Sequence, residues 1–323
     1  MNLRRSLLSL AVVGGLALAP PVRAEEIGVT QWGVGLYGVP YAVAMEKGLF
    51  KAAGVNVTGI LSSVGGGTTV RNMLAADTPY AEVALSAAIA AHLQGVPLVI
   101  VNAGTRNVAE FVWVTMPNSP IREMKDLIGK RVAFTAPKSV TEMLLIMSLE
   151  AAGVKADQVT RVASGGYGPG LTALEQGGVV AAPIIEPAWT KDSAKYRPVF
   201  FVKDLLPVMT STVGITTREF AQKRPDLIRA IIEGRRRGVE ALYADPAEAA
   251  RMLVKHYTLD PKVAEVSIAN MAAPRTWSDG RFERAALDRM AEGLRIIGEL
   301  KEPMDWSKLV DQSFLAPELR TQL

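Results

Sequence analysis

The sequence predicts an α/β protein folded as two lobes. Two blocks of strand–helix alternation, one over 27–103 and one over 130–201, each specify a mainly parallel sheet flanked by helices. A third block is helical: after Pro225, Leu227, Ile228, Ile231, Ile232, Val239 and Leu242 recur at helical spacing. Size agrees, because 299 of the 323 residues follow position 24, more than one hydrophobic core usually serves.

Residues 1–24 read as a secretory signal: Arg4 and Arg5, an apolar run over 7–19, then Val22-Arg23-Ala24 as a small-residue cleavage site. That run of 13 residues is too short to span a bilayer. Arg4-Arg5 fits the twin-arginine pattern only loosely, so general secretion is expected. Three of the 36 basic residues leave with the signal, and the remaining 33 against 32 acidic residues give +1, which carries no nucleic-acid footprint. With no cysteine there is neither a disulfide nor a lipid-attachment site, so the expected product is soluble, periplasmic, not lipid-anchored and monomeric.

In order, the first block reads as strand 27–32, a glycine-rich turn, a helical run from Pro40 to about Gly54, strand 55–61, helix 68–76, strand 81–85, helix 86–94 and strand 97–103. The second reads as strand 131–135, helix 140–152, strand 159–163, helix 168–177 and strands 179–185 and 198–202. Residues 210–217 form a crossing strand, and helices follow from Pro225, from Pro246 and over 282–297. The expected division is lobe 1 over 25–108 and 214–323, including the C-terminal helices, and lobe 2 over 109–213. Arg235-Arg236-Arg237 reads as a solvated helix face.

Ligands of such sheets bind at the carboxyl ends of strands. Two strand-to-helix turns carry paired hydroxyls there: Gly65-Gly66-Gly67-Thr68-Thr69 and Ser139-Val140-Thr141. Bare backbone amides at a helix start suit an anion, although the same hydroxyls also serve as ordinary helix caps. Gly33-Val34-Gly35-Leu36-Tyr37-Gly38 has the spacing of a dinucleotide loop, which raises an oxidoreductase as an alternative. It lacks the acid about 20 residues on that would hold a ribose: no carboxylate stands between Glu46 and Asp77. It reads better as a mobile ligand loop, with Trp32, Tyr37 and Tyr41 as aromatic walls. The two histidines, His92 and His256, are too far apart in sequence to suggest a metal site, and no serine stands in G-x-S-x-G. Neither catalysis nor a cofactor is called for.

The order of short motifs is similar to that of periplasmic substrate-binding proteins of ABC importers for sulfonates, nitrate, taurine and thiamin precursors. The residues that carry it are Pro40-Tyr41, Glu46-Lys47-Gly48-Leu49-Phe50, Gly54-Val55-Asn56-Val57, Gly65-Gly66-Gly67, Gly95-Val96-Pro97-Leu98-Val99-Ile100, Lys125-Asp126-Leu127-Ile128-Gly129-Lys130-Arg131-Val132, Ile185-Glu186-Pro187 and Arg224-Pro225-Asp226-Leu227. The resemblance implies a two-lobed type II binding-protein fold, hinge closure on a ligand, and ABC permease and ATPase subunits as partners. It further implies ligand contacts from Gly35, Leu36 and Tyr37, from Gly67, Thr68 and Thr69, from Ser86, from Ser139, Val140 and Thr141, and from Glu186. An acid that such proteins carry in each lobe is Glu82 in the first and is replaced by Val180 in the second. An enzymatic branch that makes the thiamin pyrimidine uses a cysteine-rich motif that this chain lacks.

The hydroxyl-bearing helix starts, the exposed amides and Arg106 favour a small organic anion, whereas Glu186 suits an amine or a pyrimidine. Trp32, Trp113 and Trp189 add flat apolar surface, which leans the choice toward an aromatic carboxylate or sulfonate. Cleavage after Ala24 and release into the periplasm are expected. The intact mass of the exported protein should begin at Glu25, and a mass beginning at Met1 or a membrane-bound mature form would contradict that.

Overall fold

The computed structural model describes residues 24–206 and 208–323. The signal segment lies outside the described residues except for Ala24, which opens the first strand. Ten strands follow in chain order: β1 (Ala24–Thr30), β2 (Asn56–Ser63), β3 (Ala81–Ala84), β4 (Leu98–Ala103), β5 (Phe111–Thr115), β6 (Arg131–Phe134), β7 (Thr160–Ala163), β8 (Ala182–Ile185), β9 (Arg197–Phe201) and β10 (Thr212–Thr217).

The first lobe is a five-stranded sheet in the order β2-β1-β3-β10-β4. In it β1 is parallel to β2 and β3, while β10 runs antiparallel to β3 and β4. The second lobe holds an antiparallel β8-β5-β9 set and a parallel β6-β7 pair, joined by a bridge between Val132 and Ala181. In each lobe four strands run one way and a single strand, β10 or β5, runs against them, so the sheets are mainly parallel with one reversed strand, and the path of the chain explains why. Strands β1 to β4 and β8 finish at the boundary between the lobes. β5 and β10 begin there, because each enters its lobe from the other one, so each must run against its neighbours. The registers show it: Phe111 at the start of β5 faces Ile185 at the end of β8, and Thr212 at the start of β10 faces Ala84 at the end of β3. The first sheet thus resumes at Thr212, two residues ahead of the expected boundary.

β4 and β5 are buried along their whole length, as strands covered on both faces must be. The C-terminal helices cover more than the first lobe. Helix Pro225–Ala244 lies on helices Val39–Glu46 and Leu49–Ala52 of the first lobe, and Gly238 permits this approach, since a Cβ there would strike the Pro40 carbonyl. Helix Arg284–Ile296, however, packs on helix Val140–Ala151 of the second lobe, with Gly293 against Met143 and Met147. Helix Pro261–Ala272 likewise touches helix Ala188–Asp192. Two of the C-terminal helices therefore bridge the lobes.

The arginine run is not a solvated face. Arg235 is 1% exposed, and its Nε donates to Glu82 Oε2 at 2.8 Å. Its other nitrogens donate to the carbonyls of Ser278 and Gly104. Glu82, also 1% exposed, accepts in addition from the Tyr41 and Thr212 hydroxyls. Burial acts to lower the Arg235 pKa, but the Glu82 carboxylate and the Tyr41 and Tyr80 phenols together outweigh it and hold the guanidinium above its ordinary value. Arg236 and Arg237 instead pair with Glu233 on their own helix. Removing one partner of a buried pair leaves the other charge uncompensated, so Glu82→Gln or Arg235→Met should each cost about 3–5 kcal/mol. Urea denaturation should show both losses, a smaller effect for the double variant than for their sum, and little change for Arg237→Ala.

Candidate functional site between the lobes

The cleft lies at the carboxyl ends of the strands, where both crossings occur. On the first-lobe side, the turn after β1 places Gln31 and Gly33 at positive φ and then runs into a 3-10 turn, Leu36–Gly38. Side chains from the C-terminal part of the chain hold this loop in the structure. The Gly35 carbonyl accepts from Tyr257 Oη, the Leu36 carbonyl accepts from Trp277 Nε1, and the Leu36 side chain is buried. Of the expected aromatic walls, Tyr41 is core, bonded to Glu82, and Trp32 packs on Tyr257 and His256. Trp113 is also core, stacked on Phe200, and presents no ligand surface.

Helix Gly66–Ala75 starts beside this loop from an extended Gly65. First-turn amides have no intrahelical acceptor, so the Gly66 and Gly67 N–H groups face outward as donors. Thr69 is buried, and its hydroxyl is already bonded to Thr30, Ser63 and the Gly65 carbonyl. Thr68 accepts from Arg71 Nη2 at 3.0 Å. Ser86 is half-buried in the first turn of helix Leu85–Leu93, next to Leu85, whose N–H donates to the Ser211 carbonyl.

On the second-lobe side, Ser139 caps helix Val140–Ala151 by accepting from the Glu142 amide. Thr141 is buried, accepts from the Thr135 amide at 2.9 Å and bonds the Thr135 and Ser139 hydroxyls. The Thr69, Thr141 and Ser139 hydroxyls thus brace the two helix starts, which leaves the amides of Gly67 and Val140 and the hydroxyl of Thr68 as the outward groups.

Arg106 and Glu186 are both engaged by other side chains. Arg106 donates from Nε to Glu283 Oε1 at 2.7 Å and lines a hollow with Asn107, Pro274 and Arg275, so its charge is neutralised at the surface beside the first crossing. Glu186 is 4% exposed and accepts from the Thr190 amide and hydroxyl and from Asn270 Nδ2 at 2.9 Å. Its carboxylate links the second lobe to helix Pro261–Ala272, and it lines a hollow of about 430 Å³ with Glu110, Trp189, Phe201, Lys203 and Asn270.

Sequence reading missed Glu110, the residue just before β5. It is 3% exposed, and its Oε1 accepts from Tyr37 Oη at 2.9 Å and from Ser211 Oγ at 3.3 Å. Its Oε2 is buried without a partner, and its backbone carbonyl accepts from the Glu186 amide. Burial pushes the Glu110 carboxyl up to about 7, and burial together with Glu110 raises the Tyr37 and Tyr167 phenols. The only signal in the sequence was a lone acid ahead of the apolar run Phe111-Val112-Trp113-Val114. Among the described residues Arg235 is the only buried basic side chain, and it is paired.

Thr141→Val keeps the shape of the side chain but leaves the Thr135 N–H without its acceptor. It should cost about 1–3 kcal/mol of stability. Calorimetry should show a lowered melting temperature, with ligand affinity measured well below melting nearly unchanged.

In fold the chain is similar to the periplasmic aliphatic sulphonate binding protein SsuA from Escherichia coli, with a TM-score of 0.75 at 19% identity over 90% of this chain and 92% of that one. It is similar also to the alkanesulfonate-binding protein SsuA from Xanthomonas axonopodis pv. citri bound to MOPS, with a TM-score of 0.70 at 16% identity over 89% and 98% of the two chains. The desulfurization enzyme DSZB matches with a TM-score of 0.65 at 14% identity over 90% and 97%. These likenesses establish the two-lobed, type II periplasmic binding-protein fold. No curated protein sequence matches the chain. A family model described as NMT1/THI5 like matches residues 37–249, which run from the Tyr37 loop through both lobes and into the C-terminal helices, and the chain belongs to that family.

Proposed function

We propose that this protein is the periplasmic solute-binding component of an ABC importer, enclosing a small organic anion, an aromatic carboxylate or sulfonate, between its lobes and delivering it to permease and ATPase subunits as a monomer. The observation that carries the anion reading is the set of helix starts at the carboxyl ends of strands in both lobes. Each start presents unbonded amides and contributes roughly 0.3–2 kcal/mol toward a negative charge. On this reading Gly67, Thr68, Ser86, Ser139 and Val140 meet the anion, Tyr37 closes one end, and Thr69 and Thr141 hold the starts in place. The sulfonate-binding proteins of the same fold, one of them bound to MOPS, support the class of ligand.

The magnitudes agree. Micromolar binding is about −8 kcal/mol, which an aromatic acid of roughly a dozen heavy atoms reaches at about −0.7 kcal/mol per atom, whereas nitrate would need about −2 kcal/mol per atom, beyond the ceiling of about −1.5. A second reading, an amine or a pyrimidine, is favoured by one observation, the carboxyl of Glu110 with an oxygen to spare. A thermal-shift panel of benzoate, benzenesulfonate, ethanesulfonate, nitrate and an aminopyrimidine separates the two. The aromatic anions should raise the melting temperature and, at saturation, reduce the radius of gyration in solution scattering. Stabilisation by the aminopyrimidine alone would establish the second reading, and no change in scattering with a bound anion would remove closure.

A further inference from the structure

We propose that Glu110 is the proton-carrying residue of the cleft: its free Oε2, as the neutral acid, donates a hydrogen bond to the anionic group of the solute, so that capturing the anion takes up one proton. The inference rests on the anion reading above and adds a specificity-determining residue to it.

The geometry assigns separate tasks to the two oxygens. Oε1 receives two hydroxyl donors, Tyr37 from the loop after β1 and Ser211 from the segment entering β10. An oxygen that accepts twice is the poorer place for a proton, so the acidic proton belongs on Oε2, which is buried and unpartnered. A buried donor without an acceptor is costly, and an oxygen of the ligand would supply the missing partner. The location suits this, because the groups around Glu110 come from both lobes and from both crossings.

The charged and titratable groups near Glu110 do not neutralise it. Tyr37 donates to it, and Tyr167, at the start of helix Tyr167–Glu175, is a phenol with its pKa raised. Glu186 lends its backbone amide to the Glu110 carbonyl while its own carboxylate is held by Thr190 and Asn270. Lys203 lines the same hollow as Glu110 and Glu186, but its ammonium pairs with Asp204 and lies over the Phe201 ring. No ammonium or guanidinium is therefore bonded to Glu110 to keep it ionised, and burial pushes its carboxyl up to about 7.

The sign follows. Below that value the acid is neutral and donates; above it the carboxylate would repel the anion. Bringing an anion to Oε2 raises the pKa further, so binding around and above that value must draw protons from solvent. An amine ligand reverses the sign, because a carboxylate accepting from an ammonium would release a proton on binding.

The test is titration calorimetry on the mature chain with the tightest binder among benzenesulfonate, benzoate and ethanesulfonate, none of which changes charge between about pH 6 and about pH 9. Affinity should fall as the pH rises through the titration of Glu110, at up to about tenfold per pH unit. Heats measured in two buffers of different ionisation enthalpy should report net proton uptake. Glu110→Gln keeps an N–H donor in the same place but cannot titrate, so it should bind at close to the wild-type affinity of low pH and show no pH slope. Glu110→Ala, with no donor, should bind about 10- to 100-fold more weakly. A flat profile in the wild type, a slope retained in Glu110→Gln, or proton release on binding would overturn the proposal while leaving the anion reading standing. Failure of all three anions to bind the folded wild type would remove the anion reading and this proposal with it.

Discussion

The buried ion pair of Glu82 and Arg235 is the constraint on which the rest of the first lobe depends. It gathers β3, the helix that carries Tyr41, the long helix Pro225–Ala244, the end of β4 through the Gly104 carbonyl and the start of β10 through Thr212. Two charges taken out of water are tolerable only when every remaining donor and acceptor is satisfied, and here the three guanidinium nitrogens and both carboxylate oxygens have partners. Gly104 is part of the same constraint, because a Cβ there would run into Thr212 and Glu82.

One consequence reaches the cleft. Gly104 and Thr212 are the points at which the chain leaves the first lobe and returns to it, and both are tied to the ion pair. The two crossings are thereby fixed at their first-lobe ends, so the proposed closure would have to turn on the short stretches beyond them, where Glu110 and Ser211 lie. The groups that meet at Glu110 come from both sides of the boundary between the lobes. Links such as Glu186 to Asn270 and Lys138 to Glu299 then belong to the arrangement in which the lobes are together.

Much of this was legible in the sequence, and the parts that were not share a cause. Periodicity and glycine punctuation give the strands and helices, because each records a local pattern of burial. The direction of β10 was not legible, since Thr210 to Thr217 reads the same whichever way the strand runs. Arg235 looked like its two half-buried neighbours, because a helix turns residues of one charged run toward different surroundings. Thr69 and Thr141 were recognisable as residues of helix starts, but which atoms their hydroxyls would bond depends on side chains brought from other elements. Glu110 was invisible for the same reason: its partners Tyr37 and Ser211 lie 73 and 101 residues away.

The insertion of β10 between β3 and β4 also governs when the molecule can assemble. Until residues beyond Thr217 have been made, the first sheet lacks the strand that joins β3 to β4, and the partner of Glu82 lies 153 residues downstream. Contacts that span so much of the chain close slowly, because the entropy of a long loop is lost before the contact rewards it. A chain built this way stays without a complete core for most of its synthesis, the condition in which a polypeptide can still be threaded through a narrow translocation channel.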